Sequence, residues 1–184
     1  MADLPEITPT GRVILGMIAL GRQTGYDIKQ FVDQSTRHFW AASYGQIYPE
    51  LKRLEQQGLV RSRSEPTGGR LRSVYELTDT GRTALLDWLG SDAEPTYEVR
   101  DEGMLKLFFS DFASPAQRRQ NLRAMRDRHA RKLAQLRALE AKVGPHMRKG
   151  PELTLAMGIA LTEATIACCE ATEQRLALAD QEEQ

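Results

Sequence analysis

The segment SYGQIYPELKRLEQQGLVRSRSEPTGGRLRSVYEL, residues 43–77, decides the fold of this chain. Its first part predicts an amphipathic helix that ends at Gly58, a residue suited to a helix C-cap. The apolar face of this helix comprises Ile47, Leu51 and Leu54. The remainder alternates in the manner of two strands, residues 59–64 and 71–77, joined by a turn that contains glycine. A helix followed at once by a two-stranded hairpin is typical of a winged helix-turn-helix domain.

Helical segments surround this motif on both sides. Thr8 or Thr10 can cap one helix before it, and Thr24 can cap a second. A fourth helix follows the hairpin, and residues 90–96, rich in aspartate, glutamate and proline, are predicted to form a linker. We therefore predict a winged helix-turn-helix DNA-binding domain over residues 1–90.

The part of the chain after the linker predicts only helices. One should span about residues 99–112, a second should begin at Ser114 and end at Gly144, and a last should span about residues 152–179. The two long helices carry heptad-like seams, formed by Leu122, Met125, His129, Leu136, Leu139 and Val143 and by Leu155, Ile159, Thr162, Ile166, Cys169 and Leu176. Two such seams joined by a short loop can form a helical hairpin. We predict an α-helical dimerisation domain over residues 97–184, so the fold class is mainly α with a small β-wing.

The composition is that of an ordinary globular protein, with 41% apolar and 27% charged residues. The longest apolar run, residues 13–20, is too short to cross a bilayer, and the first residues lack the basic region of a signal peptide. Cys168 and Cys169 are adjacent, which is unsuited to a disulfide between them. These features predict a cytoplasmic protein with no membrane partner.

Formal net charge is zero, but the charge is distributed unevenly along the chain. Residues 114–150 hold eleven lysines and arginines against two acids, and residues 151–184 hold seven acids against one arginine. These two segments are expected to neutralise each other. Residues 61–72 hold four arginines against one acid, with no obvious partner elsewhere. This basic cluster is the electrostatic candidate for contact with nucleic-acid phosphates.

The outer surface of the third helix carries side chains suited to nucleic acid. Tyr44 and Tyr48 can donate phenol hydrogen bonds to phosphates, and Gln46 has the amide geometry to bind an adenine edge. Arg70 and Arg72 lie just beyond the hairpin glycines, where wings usually meet the minor groove or its flanking phosphates. The predicted DNA-binding residues are Ser43, Tyr44, Gln46, Tyr48, Lys52, Arg53, Arg70 and Arg72. The alternatives are that the tyrosines are partly buried packing residues and that the hairpin is only a charged surface.

No pattern of enzyme chemistry or metal binding is found. His38, His129 and His146 lack the spacing of a zinc site, and neither a P-loop nor a GxSxG motif occurs. We predict no enzymatic activity, no metal and no cofactor. Cys168 and Cys169 are interpreted as packing residues of an apolar helix, with a thiol redox sensor as the alternative.

Several motifs resemble the PadR family of winged helix-turn-helix regulators. They are Phe39-Trp40, Tyr75-Glu76-Leu77-Thr78 leading to Thr80-Gly81-Arg82, Leu86-Asp87-Trp88-Leu89, and Leu105-Lys106-Leu107-Phe108-Phe109. The long C-terminal half resembles the PadR and AphA branch, which has an extended helical dimerisation region. The resemblance implies a homodimer that binds double-stranded DNA at an operator of two-fold symmetry. It also implies a phenolic acid or a planar drug-like compound as the effector.

An excess of aromatic and sulfur-containing side chains lies on the short helix after the linker. Together with a tryptophan at the end of the fourth helix, they predict a site for a small aromatic effector between the two domains, near the dimer axis. The effector-binding candidates are Trp88, Met104, Phe108, Phe109 and Phe112. The alternative is a junction of three helices that these same side chains fill.

The sequence therefore predicts a homodimeric, DNA-binding transcriptional repressor that a small planar or phenolic effector releases from its operator. An alternative is a winged-helix protein-interaction module with coiled-coil dimerisation, which the zero net charge favours. A regulator that senses redox state through its thiols is a further alternative. Binding to an operator must weaken as salt rises, so salt dependence separates the first two classes.

Overall fold

The computed structural model describes residues 5–67, 70–95 and 100–182. Within these residues the chain is mostly helical, with one two-stranded antiparallel sheet. The predicted fold class is confirmed. Residue contacts divide the chain into two units, residues 1–95 and residues 96–184.

The first unit combines four α-helices with the hairpin in its described part. Its elements are α1 (Pro9–Ala19), α2 (Gly25–Gln34), a 3-10 turn (Thr36–His38), α3 (Tyr44–Gln56), β1 (Val60–Thr67), β2 (Arg70–Leu77) and α4 (Asp79–Leu89). Threonine hydroxyls cap the N-termini of three of the helices. Thr8 accepts the backbone N–H of Gly11 at 2.9 Å, and Thr24 and Thr78 cap α2 and α4 in the same way. Each bond satisfies an N–H that the first helical turn leaves without a partner.

The core of the first unit lies where α1, α2 and α3 meet the base of the hairpin. Its most deeply buried side chains are Ile14, Leu15, Ile28, Val32, Ile47, Leu51, Leu54, Leu59 and Val60. Each contributes on the order of 1.5–3 kcal/mol by leaving water. The apolar face predicted for the third helix is confirmed, because its three residues are all fully buried. The opposite face of α3 is therefore left to solvent.

The hairpin is longer than the sequence predicts. Regular pairing continues to Thr67 opposite Arg70, so the expectation that the first strand ends at residue 64 is wrong. The cause is that pairing between the strands continues through Glu65, Pro66 and Thr67, and this backbone pairing does not require the polar and apolar alternation from which the strand end was predicted. Pro66 is tolerated there because a two-stranded sheet leaves one edge of each strand without a partner. The glycines at 68–69 lie outside the described residues.

The second unit consists of a short helix followed by two long helices. Its elements are α5 (Glu102–Phe108), a 3-10 turn (Ser110–Phe112), α6 (Pro115–Val143), a second 3-10 turn (Gly144–His146) and α7 (Lys149–Glu182). The predicted helix over residues 99–112 is too long. The Asp101 carboxylate accepts the N–H of Gly103 at 2.8 Å and caps α5, which therefore begins at Glu102. After Phe109 the chain adopts 3-10 geometry, so the α-helix ends there.

The last helix begins at Lys149, three residues before its predicted start at 152. Pro151 therefore lies within the first turn of α7. Proline is accepted in a first turn because the N–H groups there have no intrahelical partner to lose. The same residue in the interior of a helix would remove a hydrogen bond.

The two apolar seams of α6 and α7 pack against each other, as predicted. Their buried residues include Leu122, Met125, Leu136, Leu155, Ile159, Thr162 and Cys169. The expected charge complementarity is also present: Arg123 lies 2.7 Å from Glu173, and Arg137 lies 2.7 Å from Glu163. Exposed ion pairs of this kind contribute at most about 1 kcal/mol each, so the seam supplies most of the stability.

A second apolar face of α7 is exposed within the second unit. Leu153, Met157 and Leu161 follow one another at four-residue spacing, and each is more than half exposed. The segment Lys149–Leu178 is also long and apolar enough, by length and composition alone, to cross a bilayer. The charged residues of this segment are few and lie far apart. They interrupt the segment, so a search for an uninterrupted apolar run does not detect it. An uncovered apolar face of this length indicates a partner surface.

Candidate nucleic-acid interface

The outward face of α3 is polar and aromatic. Tyr44 is 44% exposed and Tyr48 is 50% exposed, and Gln46 and Lys52 are also exposed. The buried residues of the same helix set its rotation about its axis, so these four side chains are directed away from the core. Four of the predicted contact residues are thus accessible to a ligand.

Tyr44 and Tyr48 form a stacked pair on this surface. Their ring centroids are 6.1 Å apart, and the ring planes differ by 17°. Lys29 of α2 holds its Nζ 5.5 Å from the centre of the Tyr44 ring. Tyr48 lies over Gly25, where an added Cβ would come within 2.6 Å of Cε1 of the ring. Both rings pack beside α2 and keep about half of their surface exposed, so packing and contact with a ligand are compatible.

Ser43 and Gln46 form the cap of α3. The side-chain oxygen of Gln46 accepts the backbone N–H of Ser43 at 2.9 Å and its hydroxyl at 3.1 Å. Bidentate binding of adenine needs both the oxygen and the nitrogen of an amide side chain. In this arrangement only the Gln46 nitrogen remains to bind a base, and adenine recognition would require the cap to open.

Arg53 is directed toward the segment that precedes α1. Its Nη2 donates to the backbone carbonyl of Glu6 at 2.8 Å, and its Nη1 lies 3.5 Å from Glu50. The same carboxylate of Glu50 accepts the hydroxyl of Thr8 at 2.5 Å. Arg53 and Glu50 therefore tie α3 to the start of α1, and a phosphate would have to compete for the guanidinium of Arg53.

Three arginines of the hairpin, Arg61, Arg63 and Arg72, are paired with acids of the same hairpin. The pairs are Arg61–Glu76 at 3.1 Å, Arg63–Glu65 at 3.0 Å, Arg63–Glu76 at 3.6 Å and Arg72–Glu65 at 3.2 Å. The expectation that this basic cluster lacks acidic partners is wrong. The register places Glu65 opposite Arg72 and Glu76 opposite Arg61, and residues opposite each other share one face of a sheet. The side chain of Arg70, also a predicted contact, lies outside the described residues.

A carboxylate of α3 positions the hairpin. Glu55 accepts the backbone N–H of Ser62 at 3.0 Å and its hydroxyl at 2.5 Å. At the end of the hairpin, the Thr78 hydroxyl donates to the carbonyl of Gly58 at 2.7 Å. Burial raises the pKa of Tyr75, whose ring packs against the core from the inner face of β2. The sequence does not predict Glu55 as a site residue, because its partner depends on the angle between helix and strand.

The effector-binding candidates are exposed within their own units. In the first unit, the guanidinium carbon of Arg12 lies 5.6 Å from the ring centre of Trp88. In the second unit, the rings of Phe108 and Phe109 meet edge to face with centroids 5.1 Å apart. The candidates that are more than half exposed are Met104, Phe108, Phe109 and Phe112. The second unit covers these side chains only in part, and a common effector site stays a prediction.

The two cysteines differ in environment. Cys169 is buried on the seam, and burial raises the pKa of its thiol, whereas Cys168 is exposed. A raised pKa keeps the thiol protonated and less reactive. Among the described residues, no group of three histidine, cysteine, aspartate or glutamate side chains is placed to hold a metal ion.

Comparison with known families covers both units. Residues 14–87 match the transcriptional regulator PadR-like family, and residues 99–177 match the family described as virulence activator alpha C-term. Residues 14–87 therefore form a PadR-like domain. The predicted resemblance to the longer, AphA-like branch of the PadR family is confirmed by the second match.

The chain is 40% identical over 97 residues to the negative transcriptional regulator PadR of Bacillus subtilis. That alignment covers 52% of this chain and 53% of the relative. The chain thus spans about half the length of the curated relatives it matches.

Solved structures extend the likeness over both units. Bacillus subtilis PadR in complex with operator DNA superposes with a TM-score of 0.83 and 28% identity, covering 90% of this chain and 97% of that one. The same protein with p-coumaric acid gives a TM-score of 0.77 and 27% identity over 90% and 97%. The Vibrio cholerae virulence activator AphA gives 0.70 and 28% identity over 91% and 98%.

Proposed function

We propose that this chain is a homodimeric, cytoplasmic regulator that binds a two-fold symmetric DNA operator, represses transcription and is released by a planar or phenolic effector. The observation that carries the proposal is the exposed tyrosine-bearing face of α3, which Glu55 holds in fixed relation to the hairpin. A relative of the same fold has been solved with operator DNA. We propose no catalytic role.

In the proposed complex, α3 enters the major groove and the hairpin lies beside it. Two copies would place their helices about one helical turn apart, roughly 34 Å. The phenols of Tyr44 and Tyr48 and the ammonium of Lys52 would contact phosphates, which position the protein without reading sequence. The amide nitrogen of Gln46 is the side-chain group of this face that would reach a base.

The proposed dimer interface is the exposed apolar face of α7. Leu153, Met157 and Leu161 lie on the side of the helix away from the seam with α6, so a second copy is the partner that covers them. A bilayer is less suited to this helix. The pair between Arg137 and Glu163 lies at the middle of the two-helix unit, and charged pairs at bilayer depth are costly.

The proposed effector binds to the exposed aromatic surface of α5 and its following turn. Bacillus subtilis PadR has been solved with p-coumaric acid, which supports a flat phenolic ligand for this chain. Phe108 and Phe112 offer ring faces for stacking, and Trp88 is the candidate from the first unit. Release would follow because the effector binds another dimer geometry more tightly than the DNA-bound one. The effector can weaken DNA binding by no more than the difference between its binding free energies for the two geometries.

A protein-interaction module is the second candidate function. The pairing of Arg61, Arg63 and Arg72 with Glu65 and Glu76 favours it, because these pairs reduce the positive charge that the hairpin offers to phosphates. The redox-sensing alternative is weaker, since the buried Cys169 has a raised pKa. Redox sensing would then depend on Cys168. If the parent protein still binds DNA after oxidation, redox sensing is excluded.

The test is binding of the full-length protein to DNA from the region upstream of its own gene, measured by fluorescence anisotropy over a range of salt. Operator binding should weaken linearly on a logarithmic scale as salt rises. Lys52→Gln should reduce the slope by about two units, one for each protomer, whereas Arg131→Gln, at an exposed residue of α6, should leave it unchanged. Absence of salt-dependent binding to any duplex would favour the interaction module.

A further inference from the structure

Glu65 lies between two arginines on the outer face of the hairpin. One of its oxygens is 3.0 Å from Nη2 of Arg63 on the same strand, and the other is 3.2 Å from Nη2 of Arg72 on the opposite strand. Both carboxylate oxygens are therefore engaged by guanidinium groups. The arginine side chains are 60% and 52% exposed, so a phosphate can still reach them.

A carboxylate in this position competes with DNA phosphate for the same donors. Guanidinium binds carboxylate and phosphate in the same paired geometry, so an arginine held by Glu65 has to exchange or divide its hydrogen bonds. The carboxylate also repels a duplex that approaches within the screening distance of about 10 Å at 0.1 M salt. On the described outer face of the hairpin, three arginines face two glutamates, Glu65 and Glu76.

Glu76 differs from Glu65 in its place along the hairpin. It lies opposite Arg61 near the base of the hairpin, with Arg63 at 3.6 Å, whereas Glu65 lies opposite Arg72, nearer the tip. The tip of a wing is the part that reaches the DNA backbone. Of the two acids, Glu65 is therefore the one whose charge would lie nearest to phosphate.

We propose that Glu65 sets the DNA affinity of this chain, as an intramolecular competitor that holds Arg63 and Arg72 away from phosphates. The inference rests on the proposed DNA-binding function. Phosphate contacts carry no sequence information. Weaker phosphate contacts therefore shorten the time that the protein spends on random DNA, and recognition of the operator sequence is left to the residues of α3. Glu65 is a positioning residue in this scheme, because it acts through the two arginines.

The test compares Glu65→Gln with Glu94→Gln in the full-length protein. Glu94 is exposed in the segment after α4, so its substitution removes the same charge from the same unit without touching the hairpin. Binding to a random-sequence duplex of about 30 base pairs is measured by fluorescence anisotropy between about 50 and 200 mM salt. Circular dichroism checks that both variants retain the parental fold, which exposed ion pairs affect little.

Glu65→Gln should bind roughly three- to tenfold more tightly than the parent near 0.1 M salt, with a salt slope steeper by about 1.8, the value for one more neutralised phosphate in each of the two protomers. Glu94→Gln should stay within about twofold of the parent, since a distant exposed charge is screened. In a background carrying both Arg63→Gln and Arg72→Gln, the gain from Glu65→Gln should fall to the level of the Glu94→Gln control. Glu65 then has no arginine left to release, and only its screened repulsion of phosphate remains to be removed.

Two results would overturn the inference. One is a Glu65→Gln variant that binds no more tightly than Glu94→Gln; the other is a gain that persists without Arg63 and Arg72. If the parent binds neither random nor upstream DNA at any salt concentration, the proposed function itself fails and this inference fails with it. If the parent binds DNA and Glu65→Gln binds it with the same affinity, only the proposed role of Glu65 is refuted.

Discussion

Replacing Gly25 with alanine tests whether the position of Tyr48 matters for DNA binding. The added Cβ would lie 2.6 Å from Cε1 and 2.9 Å from Cζ of the tyrosine ring, closer than carbon atoms pack. Gly25 begins α2 and is buried, so its backbone cannot retreat easily. Its φ is not in the left-handed region, so alanine fits the backbone itself. The half-exposed ring of Tyr48 must therefore move outward and disturb its stack with Tyr44.

The expected cost to stability is modest. Overpacking costs about 1–3 kcal/mol, and replacing glycine with alanine in a helix returns about 0.5–1 kcal/mol. The net loss should be about 0–2.5 kcal/mol for the first unit. The effect on DNA should be larger: a hydrogen bond to phosphate contributes about 0.5–1.5 kcal/mol and occurs twice per dimer, so operator affinity should fall about 5- to 150-fold.

Gly16→Ala is the matched control. Gly16 lies inside α1, and an added Cβ there would have no atom within 4 Å. This variant should gain about 0.5–1 kcal/mol of stability and bind the operator as the parent does. The measurements are fluorescence anisotropy with labelled operator and thermal unfolding followed by circular dichroism.

Two outcomes would refute the reasoning. A folded Gly25→Ala variant that binds the operator as tightly as Gly16→Ala would show that the site of Tyr48 is not needed. If the clash acts only through the ring, Gly25→Ala combined with Tyr48→Ala should bind no worse than Tyr48→Ala alone. A further loss in the double variant would mean that α2 itself has shifted.

Gly81→Ala should destabilise the first unit by roughly 3 kcal/mol or more, because the added Cβ would lie 1.9 Å from the backbone oxygen of Leu59, which cannot rotate away; thermal unfolding gives the value. A fragment ending at Gly90 should stay folded but sediment as a monomer, because the exposed face of α7 lies beyond it; a dimer as tight as the full-length one would contradict the proposed interface. Burial, reinforced by neighbouring positive charge, lowers the pKa of His129, so the unfolded chain binds a proton there more readily than the folded one. The stability of the second unit should therefore be complete above about pH 6.5 and fall as the pH drops below it. The melting temperature should decrease more steeply for the parent than for His129→Gln between about pH 7 and 5, and equal slopes would contradict the assignment.

The sequence by itself determined the elements and their buried faces. Thr24 and Ser43 mark where α2 and α3 begin, and the spacing of Ile47, Leu51 and Leu54 predicts which side of α3 is buried. The seams of α6 and α7 follow from the same rule. These features are local, because a cap involves residues three apart and a helical face repeats every three to four residues. Lengths are less certain, as the hairpin and α5 show, because the ends of elements depend on pairing and on turn geometry.

Only the tertiary structure decided which of the candidate contacts are available. The charge of residues 61–72 predicts a basic surface, but the strand register brings Glu65 and Glu76 against its arginines. Arg53 is directed to the segment before α1. The use of Gln46 by the cap of its own helix is a local feature by contrast, because Ser43 and Gln46 are three residues apart. The physical reason is that a charged side chain pairs with the nearest suitable group in space. That group lies on another segment, and its separation along the chain follows no fixed spacing that the sequence would reveal.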